Sequence, residues 1–528
     1  MQREINNLGQ ESWDLVIVGG GIYGAAALWE ASRRGLKAVL LEAEDFGAAT
    51  SANSLKVIHG GFRYLQSMDF ARVRLSAAEL VTLMRIAPHL VSPMPCLVAT
   101  KGLGKQGRLV FRTALAIYNY LTGHEKLRGR LVDKAEVARR FPLCPPPGIS
   151  GGVLWHDGLV HDSERLTLGY VLGAGKKGGQ AANYIRAKGL IEEQGRAIGV
   201  KAVDELTAQE LEVRGKVVLV TAGPWAMELS GAADQAPTLA SALNLVVRRS
   251  WSDSAVGLRS LTGKAEDPVC GGRRFMFMVP WHGHTFLGTA YRLWPAQAKP
   301  SGPTREELLA LMNEFNAACP ELELTPGDIS YFHWGRVPLE HPGQAPVGGG
   351  LASKRRLMER PGLITVSGAK YTTARAVASE AVARVCAQLG QEAPELPLEP
   401  VWGGEVEQAE LPAGLSSDRA AHLRAQYGSR AGEVAAWALG DPALLEPLSP
   451  DTLVLGCEVV QALEAEMALH LADVSLRRTI LGKKGRPSDQ ALQAALVIMA
   501  QRFGWDQARQ ESELAQALKP YEILEGLA

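Results

Sequence analysis

Three glycines and one acid come first. Gly19, Gly21 and Gly24 form G-x-G-x-x-G directly after a short apolar run, Leu15–Val18. The run fits a buried parallel strand. Gly19 permits the tight strand-to-helix turn, Gly21 lets a pyrophosphate approach the backbone, and Gly24 lets helix and strand pack closely. A helix-like stretch, Ala25–Arg34, follows, with Gly35 as its stop. Its N-terminus offers free N–H groups and a positive dipole end to a phosphate. A second strand, Lys37–Leu41, ends on Glu42, about 20 residues on. That acid can accept two hydrogen bonds from a ribose diol and would repel a 2′-phosphate. The order and spacing predict a dinucleotide site, with NAD and FAD both open at this point.

Three later segments return to the same chemistry. Gly47–Gly61 is small, polar and glycine-ended, and can offer hydroxyls and N–H groups to a diphosphate. Val217–Val220 ends in Thr221-Ala-Gly-Pro-Trp225, a sharp turn where a doubly wound sheet holds ligands. Ile364–Val366 ends in Ser-Gly-Ala-Lys-Tyr-Thr-Thr (367–373), again strand, small residues, then helix N-terminus.

The chain that must position these segments has 528 residues, too long for one core and enough for two or three domains. Hydrophobic content of 46% and charged content of 21% are those of a folded globular protein. Lys+Arg and Asp+Glu both number 56, so no global field attracts nucleic acid, and no nucleic-acid role is expected. Six cysteines (96, 144, 270, 319, 386, 457) lack zinc spacing, so reduced cysteines and no metal site are expected. The polar Met1–Trp13 has no leader pattern, and no window is apolar enough to span a bilayer, so the expectation is cytoplasmic.

Asp69–Ala87 and Leu166–Gly175 read as helices. Lys101–Leu121 mixes Lys101, Lys105, Arg108 and Arg112 with apolar residues. It is either a basic helix packed on the core or an amphipathic one lying on the inner face of an anionic membrane. Ala242–Tyr331 reads mostly as strands, with a helix at Thr304–Ala317 and a hairpin turning at His282–His284. Gly390–Glu410 reads as a linker. Helices follow from Ser417, including Glu458–Leu481 and Asp489–Phe503. The expected fold is α/β: a Rossmann-like nucleotide domain (12–95, 150–228 and 345–392), an inserted antiparallel-sheet substrate domain (96–149 and 229–344), and an all-α C-terminal domain (400–528).

Nearly the whole chain resembles the FAD-dependent glycerol-3-phosphate dehydrogenase family, within the amine- and hydroxy-acid-oxidising flavoproteins. The residues that carry this are Val16–Ala25, Leu41–Asp45 through Ala49-Thr50-Ser51, and Lys56-x-Ile58-His59-Gly60-Gly61-x-Arg63-Tyr64-Leu65. Thr221–Trp225, Gly368–Thr373 and the C-terminal Glu466–Ala468, Leu471–Val474 and Arg477-Arg478-Thr479 add to it. The resemblance implies FAD and two-electron oxidation of a secondary alcohol. It decides the opening motif for FAD, because an NAD enzyme has no need of a ring cradle built from three distant segments.

Implied cofactor contacts are Gly19, Gly21, Gly24, Glu42, Thr50, Ser51, Ser54, Lys56, Gly60, Ala187, Ala222, Gly223, Gly368, Lys370 and Thr372. The resemblance places Arg63 at the flavin face holding the substrate's anionic group or oxygen, the alternative being a structural salt bridge, with Tyr64 beside it and Lys370 at the ring's pyrimidine edge or the substrate. His59 is either base, flavin contact or structural histidine. Arg336 joins these as a catalytic candidate.

The substrate half departs from the family pattern. Gly-Val-Arg-Pro becomes Gly335-Arg336-Val337-Pro338, which on a regular strand turns the arginine to the opposite face unless a bulge restores it. Trp251 stands where the family has histidine, Gly288-Thr289-Ala290-Tyr291 replaces Gly-Thr-Thr-Asp, and Ala369 replaces a glycine. A further family arginine has no counterpart between Pro346 and Arg360, though Lys354, Arg355 and Arg356 are near. An anion would need Arg248, Arg249, Arg336 or Lys370 to assist Arg63.

Three readings follow. One is oxidation of sn-glycerol 3-phosphate to dihydroxyacetone phosphate, with quinone or oxygen as acceptor. The second is the same chemistry on another small anionic alcohol, hydroxy acid or amine, and the third a silent flavoprotein. A homodimer through the C-terminal helices is a further expectation.

Overall fold

In the computed structural model, the described residues are all but 102–106, 144–147, 262–273, 295–301, 340–355, 369, 408 and 528. Two sheets and a helical domain make the molecule. The first sheet has eight strands. Its spine runs Arg356–Arg360, Leu363–Ser367, Glu210–Val220, Trp13–Val18, Ala38–Leu41, Gln180–Ala182. All neighbours in that spine are parallel except the first pair. Both faces of a parallel sheet are covered, so its strands are apolar throughout: Leu15, Val16 and Ile17 are fully buried. The helices Ile22–Arg33, Ser163–Lys176 and Ala374–Gln388 cover one face. Ile185–Glu193 and Arg196–Asp204 extend Glu210–Val220 as an antiparallel flap.

The second sheet has nine strands, in the order Ile329–Pro338, Leu239–Val247, His284–Leu293, Phe275–Trp281, Ala255–Arg259, Val91–Lys101, Ile149–Val160, Val57–Ile58, with Arg130–Val132 on the side. It is antiparallel except where Ala255–Gly257 runs parallel to Cys96–Val98. Val91–Lys101 and Ile149–Val160 pair along their whole lengths. They therefore cross the expected boundaries at 95/96 and 149/150, because a ladder of cross-strand bonds does not divide mid-strand.

Helix ends follow local chemistry. Asp69 caps Phe70–Ile86 by accepting from the Arg72 N–H, and Thr304 with Glu307 forms a capping box on Arg305–Ala318. The expected basic helix is Arg108–Thr122; Lys101 ends a strand, and Lys105 lies outside the described residues. The expected continuous helix Glu458–Leu481 is broken. Gly456–Ala465 stops before Glu466, Met467 takes a left-handed φ of 54°, and a short helix and π-turn span Leu471–Arg478. Cys96, Cys386 and Cys457 are buried free thiols, and Cys319 is buried; Cys144 and Cys270 lie outside the described residues.

Candidate functional site: a nucleotide cradle with a cationic wall

The glycine turn has no room for side chains. Gly19 has φ 104°, and a Cβ there would lie 2.8 Å from the Ala222 Cα, so the first and second nucleotide segments touch. A Cβ on Gly24 would lie 1.9 Å from the Gly19 carbonyl oxygen. Ser51 Oγ accepts from the Ile22 N–H at 2.9 Å and so sits on the helix start beside Gly21. Glu42 accepts from the Gly20 N–H at 2.5 Å and the Glu44 N–H at 2.9 Å. Burial pushes its carboxyl up to about 7, against those two bonds. Thr221 Oγ1 donates to the carbonyls of Val18 and Gly19, locking the parallel strands at their ligand ends. Gly223 has φ 52°. Ala187 lies on the flap two residues past Ile185, whose N–H donates to the Glu42 carbonyl at 2.7 Å.

The 47–61 loop bridges the two sheets. The Gly47 N–H donates to the Gly20 carbonyl. Thr50 Oγ1 donates to the Arg336 carbonyl at 2.9 Å, and Asn53 Oδ1 accepts from the Trp334 N–H. Ser54 Oγ accepts from the Lys56 N–H at 3.2 Å. Lys56 itself corrects the sequence reading. Its amine is fully buried, bonded to the Ala52 carbonyl, Ser163 Oγ and, at 2.6 Å, Glu164 Oε2. It braces the loop from behind. Lys483 of the helical domain joins the same buried cluster through Asp162 at 2.5 Å.

At the loop's end, His59 Nδ1 meets Asp157 Oδ2 at 3.0 Å, while Asp157 Oδ1 accepts from the Gly60 N–H at 2.8 Å. Asp157 is buried, and the His59 side chain is 53% exposed. With Nδ1–H donating to the carboxylate, the ring's lone pair is on Nε2. Arg63 is exposed on the short helix Phe62–Ser67 and has no ion pair among the described residues. Tyr64, next to it, takes Arg72 at 5.0 Å and Lys370 at 4.2 Å from its ring centroid. Burial raises the Tyr64 phenol, with Arg63 and Arg72 opposing, so it stays a proton donor at neutral pH.

Lys370 is delivered by the third nucleotide segment. Tyr23, on the first helix, donates its hydroxyl to the Lys370 carbonyl at 3.0 Å and fills the space where a Cβ on Gly368 would sit. Tyr371 donates to the Ser163 carbonyl, and Thr372 is buried behind it. Asp157 and Tyr23 are site residues that the sequence reading missed. Neither belongs to a local pattern; only the fold brings them to His59 and Lys370.

Arg336 does not point at the loop. Its strand pairs with Leu239–Val246 without a shift from Pro338 to Tyr331, so no bulge rescues its direction. A Cβ on Gly335 would face Asn53 and Thr50; Arg336 lies on the other face, its guanidinium 4.0 Å from the Trp294 ring centre and 5.1 Å from that of Trp225. Val337 enters a small apolar cluster with Ala240, Ala242 and Leu339, against which Tyr291 packs. Arg248 and Arg249 donate to the carbonyls of Gly327 and Leu322, and Arg249 covers the ring of Trp251. Lys354 and Arg355 lie outside the described residues, as does the Arg356 side chain.

A family model described as FAD dependent oxidoreductase matches residues 14–384. This chain belongs to that family. As an FAD-dependent oxidoreductase it carries a second matching region, residues 364–510, described as the C-terminal domain of alpha-glycerophosphate oxidase. It is 30% identical to Glycerol-3-phosphate dehydrogenase 2 of Mycobacterium tuberculosis, over 96% of this chain and 88% of that one. It is 28% identical to Glycerol-3-phosphate dehydrogenase of Synechocystis, over 97% of each. The Bacillus halodurans glycerol-3-phosphate dehydrogenase, solved with FAD, has the same fold: TM-score 0.75, 24% identity, over 98% of this chain and 96% of that one. The cradle fits FAD. Gly19 and Gly24 let the turn pack against Ala222 and against itself, which sets the glycine turn at the start of the first helix where a pyrophosphate would bind, and the Glu42 carboxylate at its edge would accept from a ribose.

Proposed function

We propose that this oxidoreductase converts sn-glycerol 3-phosphate to dihydroxyacetone phosphate. The observation that carries the reading is the wall formed by Arg63, Tyr64 and Lys370, in which Lys370 reaches the Tyr64 ring from the opposite end of the cofactor domain. Such a wall suits a small organic phosphate, which needs several charge-assisted bonds. Relatives that align over nearly the whole chain bear the name glycerol-3-phosphate dehydrogenase. In this reading Arg63 and Lys370 hold the phosphate, and Tyr64 donates to the substrate. His59 Nε2 takes the C2 hydroxyl proton, held in direction by Asp157. Bound FAD supplies the two-electron acceptor for the C2 hydrogen.

One observation favours a second reading, a different small anionic alcohol, hydroxy acid or amine. Arg336 is turned away from the 47–61 loop, and Val337 occupies an apolar cluster. Steady-state turnover with each compound separates the two readings, since the enzyme's own substrate gives by far the highest kcat/KM.

The reading includes quinone as acceptor at the inner face of the cell membrane, with oxygen as the alternative. No described helix is long and apolar enough to cross a membrane. The helix Arg108–Thr122 instead exposes Leu109 (73%) and Tyr120 (80%) with Val110 and Ile117, beside Arg108 and Arg112, and Met68 and Phe70 are exposed where the preceding helix begins. That composition suits an anionic lipid surface. Replacing Leu109 and Tyr120 by Glu abolishes co-sedimentation with anionic vesicles in this reading; vesicle binding that survives neutralisation of Arg108 and Arg112 sinks it. A homodimer is part of the proposal too, supported by exposed Trp437, Leu439 and Phe503 on the helical domain, and sedimentation velocity tests it.

A further inference from the structure

The nucleotide loop is gripped from outside its own domain. Asp45 follows Glu42 by three positions, and its side chain is buried. It accepts from Arg478 Nη1 at 2.6 Å and Nη2 at 2.8 Å, from Arg477 Nε at 2.7 Å, and from Asn183 Nδ2 at 2.9 Å. Both arginines come from the π-turn of the helical domain, where the expected long helix is broken. Arg478 also donates twice to the Glu466 carbonyl, and Arg477 pairs with Asp473. Asp473 accepts from the Tyr184 hydroxyl at 2.6 Å.

The same residues fix the backbone around Glu42. The Tyr184 N–H donates to the Glu44 carbonyl and the Ile185 N–H to the Glu42 carbonyl, while Asn183 also donates to the Met467 carbonyl. On the inner side there is no slack. A Cβ on Gly20 would lie 2.9 Å from both the Glu42 Cβ and the Phe46 ring. A shift of Asp45 is therefore passed to Glu42 and to the glycine turn. Burial alone would raise the Asp45 carboxyl, but the Arg478 and Arg477 guanidiniums hold it well below the usual carboxylate range. A buried ion cluster is weak evidence of stability, because desolvation opposes the attraction. Its position, wedged behind a ribose-binding acid, is evidence of a geometric role.

We propose that the C-terminal helical domain is part of the FAD-binding apparatus: Arg477 and Arg478, acting through Asp45, are positioning residues that hold Glu42 and the Gly19–Gly21 turn in their cofactor-binding geometry. FAD binding and docking of the helical domain are then linked, each strengthening the other.

The test is titration of FAD into the full-length apoprotein, followed by flavin fluorescence, for wild type, Arg478→Lys, Asp45→Asn and the double variant. Each single variant weakens FAD binding about tenfold or more. The double variant is no weaker than the worse single, since both break one interaction. Turnover at saturating FAD stays within about twofold, because no reacting atom is touched. His422→Gln, which breaks a buried pair with Glu458 inside the helical domain, lowers the unfolding temperature without weakening FAD binding. If Arg478→Lys does not fold, Arg477→Lys, which leaves the bidentate Arg478–Asp45 pair intact, carries the same comparison. Wild-type FAD affinity in a folded arginine variant, with only the unfolding temperature lowered, overturns the proposal.

Discussion

The Lys370 ammonium stands 4.2 Å from the centre of the Tyr64 ring. Lys370 belongs to the last nucleotide segment, while Tyr64 follows the 47–61 loop on the short helix Phe62–Ser67, next to Arg63. The cation is brought there by Tyr23, whose hydroxyl bonds the Lys370 backbone. A cation held against an aromatic face has its position fixed.

Lys370→Met should therefore lower kcat/KM for an anionic substrate about 100-fold, or about 2–3 kcal/mol of transition-state binding. Flavin absorbance and the unfolding temperature should change little. Steady-state kinetics on the holoenzyme checks this, and a loss of bound FAD instead would assign Lys370 to the cofactor.

Asp157→Asn should lower kcat about 10²- to 10⁴-fold at neutral pH, because His59 loses the group that fixes its tautomer. His59→Gln should cost as much, and the double variant no more than the worse single. Equal and independent losses would mean that the two do not act as a unit.

Glu42 sets a pH dependence. Its folded value of about 7 lies above the ordinary 4.5, and burial is the cause. Its contribution to apoprotein stability is therefore present in full below pH 4.5 and is lost as pH rises through 7. FAD binding runs the other way, since ribose hydroxyls donate best to the ionised carboxylate. The FAD dissociation constant should rise up to about tenfold per unit as pH falls below about 7. In Glu42→Gln the constant should be higher and flat over that range, which isothermal titration at several pH values can verify.

Arg336→Ala should raise KM for an anionic substrate about tenfold while leaving kcat within about threefold, because the guanidinium sits between two indoles, where it attracts an anion without facing the loop. The effect should shrink in high salt. A collapse of kcat would place Arg336 at the reacting atoms.

The parts of the site that were legible in the sequence are those with local spacing. Gly19, Gly21, Gly24 and Glu42 sit within one strand–helix–strand unit, and each has a steric or hydrogen-bonding reason visible at that range. The outward turn of Arg336 also followed from strand alternation, once the unshifted pairing with Leu239–Val246 was known. Lys56 was misread because the acid that neutralises it, Glu164, lies on a distant helix. Glu458–Leu481 read as one helix because no proline or glycine interrupts it before Gly482. Tertiary ion pairs from Glu466, Asp473, Arg477 and Arg478 override that propensity. Asp157 sits on a buried strand, with nothing in its neighbours to announce His59.

In the proposed reaction, hydride passes to the flavin from a phosphorylated secondary alcohol held at the Arg63–Tyr64–Lys370 wall. Anaerobic mixing of the FAD-loaded enzyme with sn-glycerol 3-phosphate tests it most directly. Loss of oxidised-flavin absorbance is expected, with one dihydroxyacetone phosphate formed per flavin. Unchanged flavin with that compound, alongside rapid bleaching by a hydroxy acid or an amine, would contradict it.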